Sequence, residues 1–298
     1  MSKKNPALVS IIIPTYKTTW FEETLASAVN QDYPNCEIIV SDDSPFGEPE
    51  QIVERFKAKS RHPIRYFRNQ PALGDIGNYN HCFLESKGEY VKLFADDDLL
   101  APSCVSKLVD AIEAREDIRI ATSRRQRINA EGLIQEDIFA TASPVNVDSV
   151  IHGEDILAFQ SRGIVNFIGE PCTVLMYRED IVALIDSPDS WYKIDGQVME
   201  FLEDLTFYTK ILTHSHLAYL AEPLSFFRIS RQQKSESGRA QDQRAQNSHD
   251  VYLKFASAYT EQHALDPAKG VRIAPLYSND AVRYADIRET MGLSLKEN

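Results

Sequence analysis

Residues 8–16 read Leu-Val-Ser-Ile-Ile-Ile-Pro-Thr-Tyr, a run of branched apolar residues that ends at Pro14. Such a continuous run is typical of a strand that is buried on both faces of a parallel sheet. After the run, Thr19 and Glu22 have the spacing of a helix capping box, and apolar residues follow at helical spacing as far as Val29. The chain therefore begins with a buried strand followed by a helix.

The same order of strand and helix repeats along the first third of the chain. Further strands are predicted at residues 37–41, 64–67 and 90–94, with helices at about 49–58 and 78–87 between them. Strand–helix–strand units close with a right-handed crossover and build an open parallel sheet. This pattern predicts an α/β fold with an open, mostly parallel sheet flanked by helices.

The pattern becomes less regular after a helix at about residues 102–112. The elements predicted beyond it are strands at 118–122 and 173–177, a helix at 200–212, and short strands at 217–220 and 226–229. A polar stretch at 230–247 predicts a mobile loop. The remaining residues predict a small, solvent-facing helical extension.

Composition and charge narrow the class of protein. The chain has 298 residues, of which 43% are hydrophobic and 26% charged, as in an ordinary globular protein. The 32 lysines and arginines against 44 acidic residues give a net charge of −12, which argues against a nucleic-acid partner because phosphate binding needs clustered cations. No apolar run reaches the ~20 residues of a membrane span, and the four cysteines form no CxxC pair. The expected compartment is the cytoplasm. Peripheral contact with the inner face of the membrane would be made by local basic clusters.

Polar clusters fall at the carboxyl ends of predicted strands, where ligands bind in open α/β sheets. The clusters are Thr15-Tyr16, Asp42-Asp43 and Asp96-Asp97-Asp98. Carboxylates suit Mg²⁺ or Mn²⁺, which take one or two of them together with substrate phosphates. The alternative for the triplet is an acidic turn that caps the following helix. Since no P-loop or dinucleotide-binding glycine motif follows the first strand, bound phosphates would need a metal to offset their charge.

Several short stretches occur in the order and at the separations of one known family. They are residues 9–16 (Val-Ser-Ile-Ile-Ile-Pro-Thr-Tyr), 42–44 (Asp-Asp-Ser), 77–80 (Gly-Asn-Tyr-Asn) and 88–90 (Gly-Glu-Tyr), the last leading into the aspartates at 96–98. Together they resemble the family 2 glycosyltransferases, closely over about residues 7–110 and more loosely up to about residue 230. The resemblance implies a GT-A fold and an inverting transferase that uses a nucleotide-sugar donor.

The resemblance also implies which residues surround the nucleotide. Pro14, Thr15 and Tyr16 correspond to the wall around the base, and Asp43 to the residue that accepts a hydrogen bond from it. Asn78 corresponds to an asparagine near the nucleotide, although an N-terminal helix cap explains it equally well.

The aspartate triplet corresponds to the acidic DxD-type motif of the family. Alignment on Pro102 implies that Asp97 is the metal ligand, with Asp98 beside it as a second ligand and Asp96 near the ribose or the water shell of the metal. Many relatives have another aspartate where this chain has Ala95, so the division of roles within the triplet stays open. The implied cofactor is a divalent cation, Mn²⁺ or Mg²⁺.

The catalytic base implied by the resemblance lies at Glu203-Asp204, at the start of a predicted helix. The positive end of a helix favours an ionised carboxylate that can accept a proton, and Asp204 is the first candidate, with Glu203 second. Two solvated acids in a first helical turn are the alternative. Arg228 and Arg231 correspond to a flexible segment that folds over the diphosphate, since guanidinium groups suit oxyanions. A solvated polar loop is the alternative for Arg231.

Two further groups of residues carry weaker hypotheses. The basic group is Arg119, Arg124, Arg125 and Arg127. An exposed basic face is its first interpretation, and contact with a phosphate-bearing acceptor or a membrane surface is the alternative. Trp191 and Tyr192 could stack on an acceptor sugar, although aromatic residues are more often part of the core.

These expectations combine into one predicted organisation. Residues 1–230 form a GT-A domain, with a nucleotide-binding half at about 1–98 and an acceptor-binding half at 99–230, and residues 231–298 form a flexible loop and the helical extension. The predicted reaction transfers a sugar from a nucleoside-diphosphate donor, UDP first, to a saccharide or lipid-linked glycan in cell-surface polysaccharide synthesis. A nucleotidyltransferase that makes a nucleotide-sugar, and a non-catalytic module that binds a sugar nucleotide or a glycan, are the alternatives.

Overall fold

Parallel strands form the first half of the central sheet. The computed structural model describes residues 5–138, 141–230, 242–278 and 281–291. Its first strands are β1 (Val9–Thr15), β2 (Cys36–Asp42), β3 (Ile64–Arg68) and β4 (Tyr90–Leu93). They lie in the order β4-β1-β2-β3, and every neighbouring pair among them is parallel. The strand predictions for this part of the chain are confirmed.

The helices of this half follow the predicted alternation. They are α1 (Phe21–Val29), α2 (Glu48–Lys57), α3 (Gly74–Glu85) and α4 (Cys104–Ile112). Helix α3 begins four residues before the predicted start at Asn78, so Asn78 lies inside the helix and is not its cap. The first N–H groups of this helix are bound instead by the carboxylate of Asp43, which follows β2 and is remote in sequence.

The second half of the sheet is mixed. Its strands are β5 (Leu99–Leu100), β6 (Ile118–Ile128), β7 (Ser149–His152), β8 (Leu175–Tyr177) and β11 (His216–Arg228), and a separate hairpin is formed by β9 (Lys193–Ile194) and β10 (Gln197–Val198). Strand β8 lies between β4 and β6 and is antiparallel to both, whereas β11 is parallel to β6. The two short strands predicted at 217–220 and 226–229 form one strand with register shifts beside Pro223, which has no N–H to donate.

Helices cover this half on both faces, with α4 on one face and the later helices on the other, and part of the predicted extension continues the sheet. The later helices are α5 (Gly153–Gln160), α6 (Arg178–Ile185) and α7 (Glu203–Leu212), followed by α8 (Gln243–Gln262) and α9 (Ile287–Thr290). Helix α8 confirms a helical extension, but the prediction that the extension faces solvent is wrong, because Tyr252 and Ala256 are fully buried. Of the loop predicted at 230–247, residues 231–241 lie outside the described residues and 243–247 belong to α8. The extension also contains strands β12 (Val271–Pro275) and β13 (Arg283–Ala285), and β12 pairs with β7 at the sheet edge.

The core lies on both faces of the sheet. Ile12 and Ile39 belong to the cluster on one face, and Ile11, Ile13 and Ile38 to the cluster on the other, all with no exposed surface. This explains the continuous apolar runs in β1 and β2, because both faces of each strand are covered. Among the residues that the structure describes, no helix is long and apolar enough to cross a membrane.

Candidate active site

A cavity of about 570 Å³ opens at the carboxyl ends of β1 and β4. Its polar lining includes Lys17 and Asp97 from the first half of the chain and Arg125, Asn166, Glu170, Glu203 and Asp204 from the second. Its aromatic lining includes Tyr79, Phe83, Trp191, Phe207 and Tyr208. The two predicted halves therefore meet at one cavity, and the leading candidates for metal ligand and catalytic base both border it.

Asp96 fixes the loop that follows β1. One carboxylate oxygen accepts hydrogen bonds from the backbone N–H groups of Tyr16 at 2.8 Å and Lys17 at 2.7 Å, and from the Thr15 hydroxyl at 3.2 Å. Burial, with the nearby Asp97 charge adding to it, raises the pKa of Asp96 to about 6. Asp96 therefore shapes the loop that carries the predicted base-binding residues.

Asp98 faces the protein interior. Its Oδ1 accepts a hydrogen bond from the backbone N–H of Arg228 at 2.8 Å, and its carbonyl oxygen accepts one from the Thr24 hydroxyl at 2.9 Å. Burial, together with the charge of Asp97, raises the pKa of Asp98 well above its usual range. This orientation disagrees with the prediction of Asp98 as a second metal ligand, because Asp98 does not line the cavity whereas Asp97 does.

Asp97 carries the remaining carboxylate of the triplet, and Lys17 lies beside it. The Lys17 Nζ is 3.3 Å from Asp97 Oδ2, and the Lys17 side chain is 30% exposed. Sequence reasoning did not single out Lys17, although it directly follows Thr15-Tyr16 at the same strand end. Its ammonium group places a positive charge beside the carboxylate at the mouth of the cavity.

Asp97 is the carboxylate that the triplet presents to the cavity, and the Lys17 ammonium is its partner there. Within the described ranges, no group of three or more histidine, cysteine or acidic side chains is arranged to hold a metal. Magnesium commonly binds through one or two carboxylates, with substrate phosphates and water as the other ligands. Asp97 meets that requirement as a single carboxylate on the cavity wall.

A polar network ties together the ends of β1, β2 and α3. The two carboxylate oxygens of Asp43 accept hydrogen bonds from the Asn69 amide at 2.8 Å and from the Gly74 N–H at 2.8 Å. The Asn78 amide donates to the Thr15 carbonyl at 3.3 Å and accepts from Asn69 at 3.2 Å. The structure thus brings Asp43, Asn78 and Thr15 together, all of them buried.

The predicted base wall differs in exposure along its length. Thr15 is fully buried, Pro14 is partly buried, and the Tyr16 side chain is 59% exposed. Tyr16 is therefore the residue of this wall with an aromatic ring available to stack on a nucleotide base.

Glu203 and Asp204 occupy the first turn of α7 and both line the cavity. The Oδ1 of Asp204 accepts the backbone N–H of Leu205 at 2.7 Å, and its Oδ2 accepts a hydrogen bond from the Asn166 amide at 3.1 Å. Both oxygens of Asp204, in the first turn of α7, thus accept hydrogen bonds from N–H donors. Asn166 carried no sequence signal, because it lies in an irregular loop between α5 and β8.

Arg228 is placed differently from the prediction. Its side chain has no exposed surface, and its guanidinium donates to the carbonyl oxygens of Asp97 at 2.7 Å and Ala130 at 2.9 Å and to the Glu23 carboxylate at 2.8 Å. This burial disagrees with the predicted contact between Arg228 and a diphosphate, and gives the residue a role in holding the acidic turn. Arg231 lies outside the described residues.

The second basic group is spread over both faces of β6. Arg119 pairs with Glu179 and Asp180, Arg124 pairs with Asp137, and Arg127 donates to the Glu136 carbonyl. Arg125 is the member that lines the cavity, where it is 5% exposed and its Nη1 is 3.1 Å from the Glu170 carboxylate. Arg119, Arg124 and Arg125 each have an acidic partner, so the group does not form one basic surface.

Trp191 is mainly a core residue at the cavity wall. It is 4% exposed, and its indole N–H donates to the Asn80 side chain at 2.7 Å. The ring contacts Tyr79, Phe83 and Phe207 edge-on or tilted. Its neighbour Tyr192 is partly buried and does not line the cavity.

Curated proteins with similar sequences include glycosyltransferases. The chain is 35% identical over 103 residues to the GalNAc(5)-diNAcBac-PP-undecaprenol beta-1,3-glucosyltransferase of Campylobacter jejuni, with 34% of this chain and 33% of that protein covered. It is 32% identical over 114 residues to the abequosyltransferase of Salmonella typhimurium, with 37% and 34% covered. The matched region spans about a third of the length of these relatives.

Solved structures and a family profile agree with the observed architecture. S. aureus TarS in complex with UDP-GlcNAc superposes with a TM-score of 0.58 at 16% identity, covering 87% of this chain and 68% of that chain. This likeness confirms the predicted GT-A-type fold. The sequence profile described as Glycosyl transferase family 2 matches residues 10–181, from β1 into α6 and so more than half of the chain. The chain belongs to glycosyl transferase family 2.

Proposed function

We propose that this protein is an inverting glycosyltransferase that uses a nucleoside-diphosphate sugar, with UDP as the preferred nucleotide. The acceptor is a saccharide or a lipid-linked glycan in cell-surface polysaccharide synthesis. The enzyme works in the cytoplasm, at the inner face of the membrane where a lipid-linked acceptor is presented.

One observation carries the proposal: Asp97 and Asp204, which come from opposite halves of the chain, border the same cavity. A transferase needs a group that stabilises the leaving diphosphate and a base that activates the acceptor, both at one site. We assign the stabilisation of the leaving diphosphate to Asp97 with Lys17, and the activation of the acceptor to Asp204.

The cavity residues divide the work of a single displacement. Asp204 accepts the proton of the acceptor hydroxyl while that oxygen bonds to the anomeric carbon. The bond from the anomeric carbon to the diphosphate oxygen breaks in the same step, and its electron pair leaves with the nucleoside diphosphate. The Lys17 ammonium offsets charge that develops on the leaving group, and the apolar wall around Phe83 and Phe207 excludes water. A divalent cation, Mn²⁺ or Mg²⁺, held by Asp97 would add Lewis-acid stabilisation of the diphosphate.

The relatives support the substrate classes. TarS has been solved with UDP-GlcNAc, which supports a UDP-linked donor. The Campylobacter jejuni relative is named for a glycan on PP-undecaprenol, which supports a lipid-linked acceptor. Tyr16 is exposed at the end of β1, which supports base stacking by its ring, while the buried Asp43 and Asn78 hold the shape of the same strand end.

Calorimetric titration tests the donor site. UDP, dTDP and GDP are each titrated with Mn²⁺ and with EDTA into the wild type and Asp97→Asn. We expect one nucleotide to bind more tightly with Mn²⁺ and this gain to fall at least about tenfold in Asp97→Asn, since a charged contact is lost. Failure of all three nucleotides to bind would contradict the proposal and favour a module that binds a glycan.

Turnover of UDP-glucose and UDP-GlcNAc, measured as released UDP with a mixture of lipid-linked saccharides, tests the catalytic base. Asp204→Asn should abolish release and keep nucleotide affinity, whereas the neighbouring Glu203→Gln serves as the matched control and should retain turnover. Full turnover in Asp204→Asn with loss in Glu203→Gln would move the base to Glu203. Formation of a UDP-sugar and pyrophosphate from UTP and a sugar 1-phosphate would instead identify a nucleotidyltransferase.

A further inference from the structure

We propose that Asn166 is a positioning residue that holds the Asp204 carboxylate in the orientation needed for proton transfer. This inference rests on the proposed function, in which Asp204 is the base. It concerns a residue that no sequence motif marks, in the loop between Gln160 at the end of α5 and β8.

The Asn166 amide is oriented by contacts on both of its polar atoms. Its Nδ2 donates to Asp204 Oδ2 at 3.1 Å and to the Gly169 carbonyl at 3.1 Å, while its Oδ1 accepts the Gly169 N–H at 3.1 Å. An amide rotated by half a turn would put an oxygen against the carboxylate of Asp204 and an NH₂ against a backbone donor, so these contacts select the donating face for Asp204.

The loop around Asn166 is held from several sides. The Gln160 side chain brackets Val165, donating to its carbonyl at 2.6 Å and accepting its N–H at 2.9 Å. Both terminal nitrogens of Arg125 donate to the Asn166 carbonyl at 3.1 Å. At Gly169, with φ of +120°, an added Cβ would lie 2.4 Å from the Thr173 hydroxyl, so the turn accepts only glycine without a shift.

The consequence is a carboxylate fixed at both oxygens. The Leu205 N–H holds Oδ1 and Asn166 holds Oδ2, so the plane of the Asp204 carboxylate is set before a substrate arrives. Such preorganisation is what a general base needs, because small displacements of the accepting oxygen weaken proton transfer. Other ionisable groups near this carboxylate are Glu203, Glu170, Arg125, Tyr79, Tyr208 and Tyr252.

Carboxyl ¹³C NMR tests the proposal without a substrate. The chain is labelled at the aspartate side-chain carboxyl carbon, and the Asp204 signal is identified by its loss in Asp204→Asn. Its titration midpoint is then compared in the wild type, Asn166→Ala, Asn166→Asp and Gln160→Ala. Gln160→Ala is the matched control, because the Gln160 side chain holds the same loop at Val165, the residue before Asn166.

We expect Asn166→Ala to raise the midpoint by about one pH unit, since a hydrogen bond to the charged form is lost. Asn166→Asp, which keeps the side-chain shape, should raise it further because two carboxylates then share the site. Gln160→Ala should raise it less than Asn166→Ala, because Arg125 and Gly169 still hold Asn166. If Asn166→Ala does not fold, the isosteric Asn166→Asp decides.

An unchanged midpoint in Asn166→Ala or Asn166→Asp, or an equal rise in Gln160→Ala, would overturn the positioning role and leave Asn166 as a tether of the loop. Failure of the proposed function is separate: it shows as full turnover in Asp204→Asn, while the NMR titration reports the contact between Asn166 and Asp204 in either case. For an active enzyme, kcat should fall in Asn166→Ala with KM for the donor retained.

Discussion

Replacement of Arg228 by methionine should destabilise the whole fold by about 1–3 kcal/mol. The substitution keeps most of the buried aliphatic volume and removes the guanidinium, leaving the carbonyl oxygens of Asp97, Asn129 and Ala130 without this donor. A buried acceptor without its partner costs about 1–3 kcal/mol, and this applies to the Asp97 carbonyl. The Asn129 carbonyl still accepts the Gly132 N–H, and the Ala130 carbonyl still accepts the Trp20 indole N–H. Glu23, the acidic partner, is 60% exposed and regains water, so the loss of this pair adds little.

Urea denaturation followed by circular dichroism measures this loss. Because stabilities are typically about 5–15 kcal/mol, the variant should unfold at a clearly lower urea concentration while remaining folded in buffer. Arg228→Lys is the matched comparison, since it keeps the charge and cannot reach all three carbonyls. A loss below about 1 kcal/mol in Arg228→Met, accompanied by a large loss of UDP affinity, would refute this reasoning and return Arg228 to the diphosphate.

Further predictions concern Lys17, His152 and Tyr208. Lys17→Met should weaken UDP binding in EDTA by about tenfold or more in calorimetry, because a charge-assisted contact is lost, and should leave the melting temperature unchanged. Burial, with the charge of His216 adding to it, lowers the pKa of His152 to about 4, so this residue contributes stability that is fully present above pH 6.5 and lost as the pH falls toward 4. In urea denaturation, His152→Gln should reduce the loss of unfolding free energy at acid pH by about 1–2 kcal/mol. This figure is discounted for solvent screening because the ring is only half-buried. Among the described residues, the buried Tyr208 hydroxyl has no hydrogen-bond partner, so Tyr208→Phe should raise the free energy of unfolding by about 1 kcal/mol.

Each of these outcomes has a control. Unchanged UDP affinity in Lys17→Met would contradict a phosphate contact, and Lys59→Met, at an exposed lysine, controls for net charge. His263→Gln, at an exposed histidine, should leave the loss of stability at low pH as in the wild type. A change as large as that of His152→Gln would contradict the role of His152. A loss of stability above about 1 kcal/mol in Tyr208→Phe would mean that the hydroxyl is bonded in the folded protein.

The parallel half of the fold could be predicted because its signals are local. Strands β1 and β2 contain continuous apolar runs, and the helices between the strands have their own apolar residues at helical spacing. Strands β7 and β12 could not be predicted in the same way. Both are short, and β7 lies between β12 and β11, which are remote from it in sequence.

For the candidate site, the sequence predicted which residues lie close to the cavity. It did not predict the direction in which their side chains point. Asp97 and Asp204 line the cavity as expected. Asp98 and Arg228 have the right chemistry, but burial turns both into the protein, and burial is decided by elements far along the chain. Lys17 could have been found from its place after β1, whereas the contact between Asn166 and Asp204 depends on the tertiary fold alone.

The aspartate triplet shows how one turn joins the two halves of the molecule. Asp96 holds the loop after β1, Asp97 faces the cavity, and Asp98 accepts the backbone N–H of Arg228 at the end of β11. The Arg228 guanidinium then returns to the Asp97 carbonyl, so the backbone of the cavity-facing residue is held by a strand of the second half. The boundary predicted at residue 98 separates two sequence patterns. Hydrogen bonds nevertheless connect the residues at this boundary to a strand of the second half. Because β11 of the second half holds the backbone of Asp97, the geometry of the cavity wall at Asp97 depends on the second half being folded.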